Sequence, residues 1–205
     1  MKRTLRAPLS ALICLLPCLL AGQQVWVHFI HGSKPQAGCR QQEKKWRGGL
    51  WGGHVGVEVD SNQVLDFYPT SRRVHVLPHR RHPVGKFQWR SREGFWRYFG
   101  LPSDSLKRSS VCLPATAAQQ ERLRAIAQQW AEQSPYDYAF IGVRCTSASY
   151  ELLMSAGLLP ERGRGAVILA NFHPRQLRKH LLRRASREGW PVVRRNGTLR
   201  RIWAK

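Results

Sequence analysis

Gly53-His54-Val55-Gly56-Val57-Glu58-Val59-Asp60-Ser61-Asn62-Gln63-Val64-Leu65-Asp66-Phe67-Tyr68 reads as two strands joined by a tight turn. Val55, Val57 and Val59 take one face of the first strand and His54, Gly56 and Glu58 the other, because successive side chains in a strand point to opposite sides. Asp60-Ser61-Asn62 is the turn, and Gln63 to Tyr68 is the returning strand. With three residues in the turn, Val59 pairs with Gln63, Leu65 lies opposite Val57 and Phe67 opposite Val55, so apolar meets apolar. The same register puts Asp66 opposite Gly56, a diagonal neighbour of His54 on the polar face and within side-chain reach. Gly56, lacking a side chain, leaves the space between them open. A two-residue turn would send Asp66 to the other face, so the pairing of this histidine with a carboxylate hangs on the turn.

Further along, Tyr138-Ala139-Phe140-Ile141-Gly142-Val143-Arg144-Cys145-Thr146-Ser147-Ala148-Ser149-Tyr150-Glu151-Leu152-Leu153 passes from an irregular approach into an amphipathic helix, with one thiol on its first turn. Backbone N–H groups there favour a thiolate and can hold an oxyanion. A cysteine nucleophile needs a base to take its proton, a group that orients the base, and donors for the developing oxyanion. The candidates are Cys145 as nucleophile, His54 as base and Asp66 as orienter, with the Cys145 N–H as one donor. Glu58 shares the face of His54 but lies two residues too far along to touch the ring easily. Tyr138 can bring a hydroxyl to the thiol. Arg144 and Thr146, on either side of Cys145, are candidates for substrate contact, and an arginine there also favours the thiolate. Taken singly, each has a structural reading: a small buried thiol, a satisfied strand histidine, a turn-capping carboxylate. It is their combination that points to catalysis.

The remaining elements frame this pair. Val25-Trp26-Val27-His28-Phe29-Ile30-His31 reads as a first strand, residues 32–53 as a loop, residues 73–77 as a further strand and residues 109–113 as another. Thr116-Ala117-Ala118-Gln119 has the form of a capping box, followed by Leu123, Ile126, Ala127 and Trp130 at helical spacing up to Ser134-Pro135. Gly157 is a C-cap for the cysteine helix. Pro174 opens a third helix with Leu177, Leu181, Leu182 and Ala185 inward, closed by Gly189. Asn196-Gly197 marks a terminal hairpin. Phe87, Trp89, Phe95, Trp96, Tyr98 and Phe99, set among Lys and Arg, make either a ligand- or membrane-facing patch or core and rim of the sheet.

The 205 residues suffice for one core. Residues 1–22 begin with a basic stretch and continue with a mostly apolar run too short for a comfortable membrane span, the layout of a signal peptide; an uncleaved anchor is the other reading. One domain is then expected over residues 23–205, exported to the periplasm or beyond. The formal charge is +22, and removal of Lys2, Arg3 and Arg6 leaves +19. Such a field draws anionic polymers or an anionic membrane surface in a salt-dependent way. Export argues against nucleic acid as partner. Of five cysteines, Cys39, Cys112 and Cys145 follow the signal segment; a Cys39–Cys112 bridge or three free thiols both fit an exported chain. No metal is expected, because His28 and His31 point to opposite strand faces and His75, His79 and His82 stand among arginines. No cofactor is called for, and a monomer is expected.

Gly53-His54-Val55-Gly56-Val57, a polar residue twelve positions on at Asp66, Cys145 opening a helix that leads to Gly157-Leu158-Leu159-Pro160, and Pro174-Arg175-Gln176-Leu177 together resemble the NlpC/P60 superfamily. They look most like its circularly permuted papain-like branch, the YiiX-like amidases and lecithin retinol acyltransferase relatives, in which the histidine strand precedes the cysteine helix. The resemblance covers about residues 25–182. It implies an α+β fold, an antiparallel barrel-like sheet packed against the cysteine helix, and acyl transfer through a thioester. Arg144 stands where many relatives have Asp, Thr146-Ser147 replaces their Ser-Gly, and Asp66 stands where relatives often have His. The expected function is an exported cysteine amidase or peptidase acting on envelope peptides or amides such as peptidoglycan. The alternatives are a lipid acyl hydrolase or acyltransferase, and a noncatalytic envelope-binding protein of the same fold.

Overall fold

The computed structural model describes residues 23–39, 47–48, 52–71, 73–79 and 81–204. The expected signal segment and part of the loop before Gly53 lie outside them. Strands β1 (Gln23–His31), β2 (Ser33–Pro35), β3 (Gly53–Asp60), β4 (Gln63–Pro69) and β5 (Gly85–Ser91) precede a short helix α1 (Arg92–Trp96) and a single 3-10 turn (Ser103–Ser105). Then come β6 (Arg108–Ala115), α2 (Ala117–Glu132), α3 (Cys145–Ser155), α4 (Arg164–Ala170), α5 (Pro174–Glu188), β7 (Val192–Arg195) and β8 (Arg201–Trp203). The fold is α+β: six strands form one antiparallel sheet in the order β5-β4-β3-β1-β6-β7, and β2 pairs with β8 in a small second sheet.

The hairpin of β3 and β4 has the expected ladder by an unexpected route. Gly56 pairs with Asp66 and Val57 with Leu65, but the hairpin closes with Asp60 opposite Gln63 across a two-residue turn. A register shift between Glu58 and Asp60 takes up the difference, and Asn62 turns the chain with φ 63. An irregularity of this kind puts one extra residue into one strand, so the side chains beyond it keep their faces. Asp66 therefore stays on the side of His54.

Each face of the sheet has its own cover. Val25, Val27, Phe29, Val55, Val57, Leu65, Phe67, Val111 and Leu113 form the main core with Leu123 and Ala127 of α2, Ala148 and Leu152 of α3, Val167 of α4 and Leu177, Leu181 and Ala185 of α5. Full burial of each large aliphatic or aromatic side chain contributes roughly 1.5–3 kcal/mol. On the other face Ile30 and Val64 pack with Phe95, Trp96 and Leu106, joined by Tyr98, Phe99 and Leu101. The polar side chains of that face are thus enclosed under α1 and the segment after it, not left to solvent. This resolves the aromatic segment: Phe87, Phe95 and Trp96 are core and the others its rim.

Helix ends follow the expected chemistry. Thr116 and Gln119 make a reciprocal capping box on α2, Gly157 (φ 74) follows α3, Pro174 opens α5 and left-handed Gly189 ends it. Two expectations fail. Residues 73–77 contribute only an isolated bridge, His75 to Ala139, because the edge of the sheet is taken by β5. Asn196-Gly197 does not join a hairpin: β7 pairs with β6 while β8 pairs with β2. Of the two thiol arrangements left open, the structure has the unbridged one: Cys112 is buried in β6 opposite Trp26, and Cys39 lies in the loop after β2. Among the described residues no helix is long and apolar enough to cross a membrane.

Candidate active site

His54, at the start of β3, reaches across the hairpin to Asp66 on β4, with Nε2 2.6 Å from Oδ2. Arg90, on β5, donates from Nε to the other carboxylate oxygen at 3.0 Å. Asp66 is wholly buried and His54 is 2 % exposed. The space over Gly56 is not open as expected: a Cβ there would lie 2.7 Å from Phe95 Cε2 and 2.6 Å from Val64 Cγ1. The glycine is needed because the Phe95 ring rests on the strand. Phe95 and Tyr98 then hold the imidazole by its faces, Tyr98 nearly parallel to it with ring centres 3.7 Å apart.

The thiol comes from the opposite side of the chain. Arg144 is extended (φ −128, ψ 178), its N–H donates to Ser147 Oγ at 2.9 Å, and Ser147 Oγ donates back to its carbonyl. That reciprocal contact starts α3 at Cys145, whose N–H, in the first turn, has no intrahelical acceptor. Burial by itself would raise the Cys145 thiol, but the hydrogen bond and charge of His54, with hydrogen bonds to the Thr146 and Tyr138 hydroxyls, bring it below its ordinary 9.0. For His54 burial again opposes charge, yet the bonds to Asp66 and to Cys145 overcome it and raise the imidazole to about 9. Since Asp66 occupies Nε2, Nδ1 is the nitrogen left for the thiol. Asp66, His54 and Cys145 are thus contiguous, and both shifts favour a thiolate beside an imidazolium.

Tyr138 packs on Phe67, its hydroxyl bonded to the thiol, and burial together with the neighbouring Cys145 charge pushes it well above the ordinary tyrosine value. Thr146 is fully buried, with Oγ1 3.9 Å from Sγ. A substrate contact was expected of it; its buried hydroxyl touches the thiol instead. Arg144 has its guanidinium packed between the rings of Phe140, at 4.5 Å, and Phe172, at 4.1 Å. It is half-buried beside the thiol, not swung out into solvent.

Arg90 and Tyr98 were not anticipated. The signal for Arg90 was present, since alternation along Lys86, Gln88 and Arg90 puts it on the face of Asp66. For Tyr98 there was none, because its position follows from how α1 folds back over the sheet.

A second imidazole–carboxylate pair lies on the same sheet face. His28 on β1 bonds through Nε2 to Glu58 Oε2 at 2.6 Å and through Nδ1 to Ser110 Oγ at 2.8 Å. Arg92 grips both Glu58 oxygens, and the Asn62 N–H adds a third donor. Glu58 is thereby committed away from His54. Among the described residues no group of three or more His, Cys, Asp and Glu side chains is gathered as a metal site would require.

No family model, no curated protein and no solved structure matches the chain.

Proposed function

We propose that the chain is a cysteine hydrolase of the permuted papain-like, NlpC/P60 kind, exported and acting on envelope peptides or amides such as those of peptidoglycan. One observation carries this: His54 bonded at 2.6 Å to buried Asp66, with Cys145 at its other nitrogen. The Cys145 thiolate attacks the acyl carbon, and the oxyanion that forms is met by the Cys145 N–H at the helix start. His54, as imidazolium, gives its proton to the departing amine, leaving a thioester on Cys145. His54, now neutral, takes a proton from water as it attacks the thioester, and the Cys145 thiolate leaves with the acid released, restoring the thiolate–imidazolium pair. Asp66 fixes the ring so that Nδ1 faces sulfur, with Arg90 holding the second carboxylate oxygen. All groups come from the chain, so the sequence of steps uses no cofactor. With Cys145 4 % exposed, substrate entry requires Tyr98 or Tyr138 to move aside.

A second reading, acyl transfer from a lipid ester, is favoured by the exposed apolar side chains of Phe140 and Ile141, the Phe140 ring lying against the guanidinium of Arg144, the residue before Cys145. Incubation with purified muropeptides and, separately, with phospholipid vesicles, followed by mass spectrometry of the Cys145 peptide, distinguishes them. The proposal expects an acyl adduct and released product from the muropeptides, absent in Cys145→Ala. An adduct from the vesicles alone selects the lipid reading. A thiol that alkylates no faster near neutral pH than a free model thiol, and is indifferent to His54→Ala, leaves a noncatalytic binding protein.

A further inference from the structure

Five of the large apolar side chains left in solvent are gathered by one feature of the fold. Val74, Val76 and Leu77 are 39 %, 65 % and 63 % exposed, Phe140 and Ile141 55 % and 56 %. The two segments are tied by backbone hydrogen bonds, Phe140 N–H to the His75 carbonyl and Ile141 N–H to the Val76 carbonyl, both 2.7 Å. Asp137 fixes the base of the strip, accepting from His75 Nδ1 and from the N–H groups of His79 and Val84. These residues therefore stand out as a built edge. Through Phe140 and the Arg144 guanidinium packed on it, the strip is continuous with the start of α3.

Its charge is one-sided. From Phe67 to Arg92 the sequence contains no Asp or Glu, while Arg73, Arg81 and Lys86 are exposed there. An exposed apolar strip in a segment whose only charges are cationic fits one kind of partner best. A polyanionic glycan would meet the arginines but leave the apolar side chains in water. A second copy of the chain would bring like charges together. An anionic lipid surface satisfies both, taking the apolar side chains into the headgroup–acyl boundary and the cations at the phosphates. We infer that the strip formed by residues 74–77 and 140–141 docks the protein on an anionic bilayer, with the cysteine helix opening beside the contact.

The test is hydrogen–deuterium exchange of the full chain with and without vesicles of phosphatidylglycerol mixed into phosphatidylcholine. Slowed exchange is expected in peptides covering residues 73–79 and 139–142. It should be absent with phosphatidylcholine alone and lost in the triple variant Val76→Ser, Leu77→Ser, Ile141→Ser, whose unfolding midpoint reports that the fold is kept. Arg73→Gln and Arg81→Gln should each weaken vesicle binding about fivefold. Cys145→Ala should bind as the parent does, so failure of docking and failure of the hydrolase proposal are separate results. Protection confined to residues 1–22, equal protection by dextran sulfate, protection that follows protein concentration without lipid, or protection surviving in the triple variant each overturns the inference.

Discussion

Two buried histidines on one sheet face, His54 and His28, each hold a carboxylate at 2.6 Å, yet their protonation is driven in opposite directions. His54 is raised to about 9, whereas burial, against the pull of Glu58 and with Arg92 and Arg108 adding repulsion, lowers His28. The difference lies in the far side of each ring. His54 faces a thiol that becomes an anion, so the imidazolium gains a second partner. His28 faces the Ser110 hydroxyl, which stays neutral, and its carboxylate is already matched by both arms of Arg92. A buried imidazole–carboxylate pair is therefore structural by default, and an ionisable third group turns it toward chemistry.

The comparison breaks first at the thiol. Cys145→Ala should abolish turnover, and His54→Ala should slow it by about 10²–10⁴-fold, whereas His28→Ala should leave the alkylation rate of Cys145 within about twofold. Asp66→Asn should lower turnover by about 10²-fold or more, because the ring loses the partner that fixes Nδ1 toward sulfur. The matching change on the other pair, Glu58→Gln, should spare the alkylation rate and lower stability by about 1–3 kcal/mol in a denaturant titration, since it unbalances buried donors. Smallest should be Gly56→Ala, which pushes on Phe95 and Val64 and costs about 1–3 kcal/mol, with a modest slowing through the displaced aromatic wall of His54.

The pairs also separate in pH. His54, raised from 6.5 to about 9, stabilises the fold fully below about 6.5 and loses that contribution as pH rises through about 9. Glu58, lowered from 4.5 to about 2, contributes above about 4.5 and loses its share as pH falls toward about 2. Asp66→Asn should accordingly remove most stability below about pH 6.5 and progressively less as pH rises toward about 9, and Glu58→Gln should flatten the acid limb, both read from unfolding midpoints across pH.

How much of this was legible follows from which forces are local. The ladder of β3 and β4 could be read because a one-residue slip would have carried Val57 and Leu65 out of the core, so apolar pairing fixed the register even though the turn was one residue shorter than expected. The start of α2 was legible from its capping side chains, which act within three residues, and that of α5 from Pro174 at its first turn. The enclosure of the site was not. Alternation along β3 marks His54 and Glu58 as a polar face, and only the return of α1 and Tyr98 over that face buries them. For the same reason Thr146 looked like a substrate contact: its neighbour's chemistry is readable, but its own burial comes from packing with distant segments.

The most direct test is the pH dependence of Cys145 alkylation by iodoacetamide, resolved by peptide mass spectrometry so that Cys39 and Cys112 are scored separately. The account predicts that Cys145 reacts as a thiolate below its ordinary value of 9.0, with a second step near pH 9 as His54 loses its proton, and that Asp66→Asn shifts both. A single titration at the ordinary thiol value, unchanged in Asp66→Asn, would contradict it.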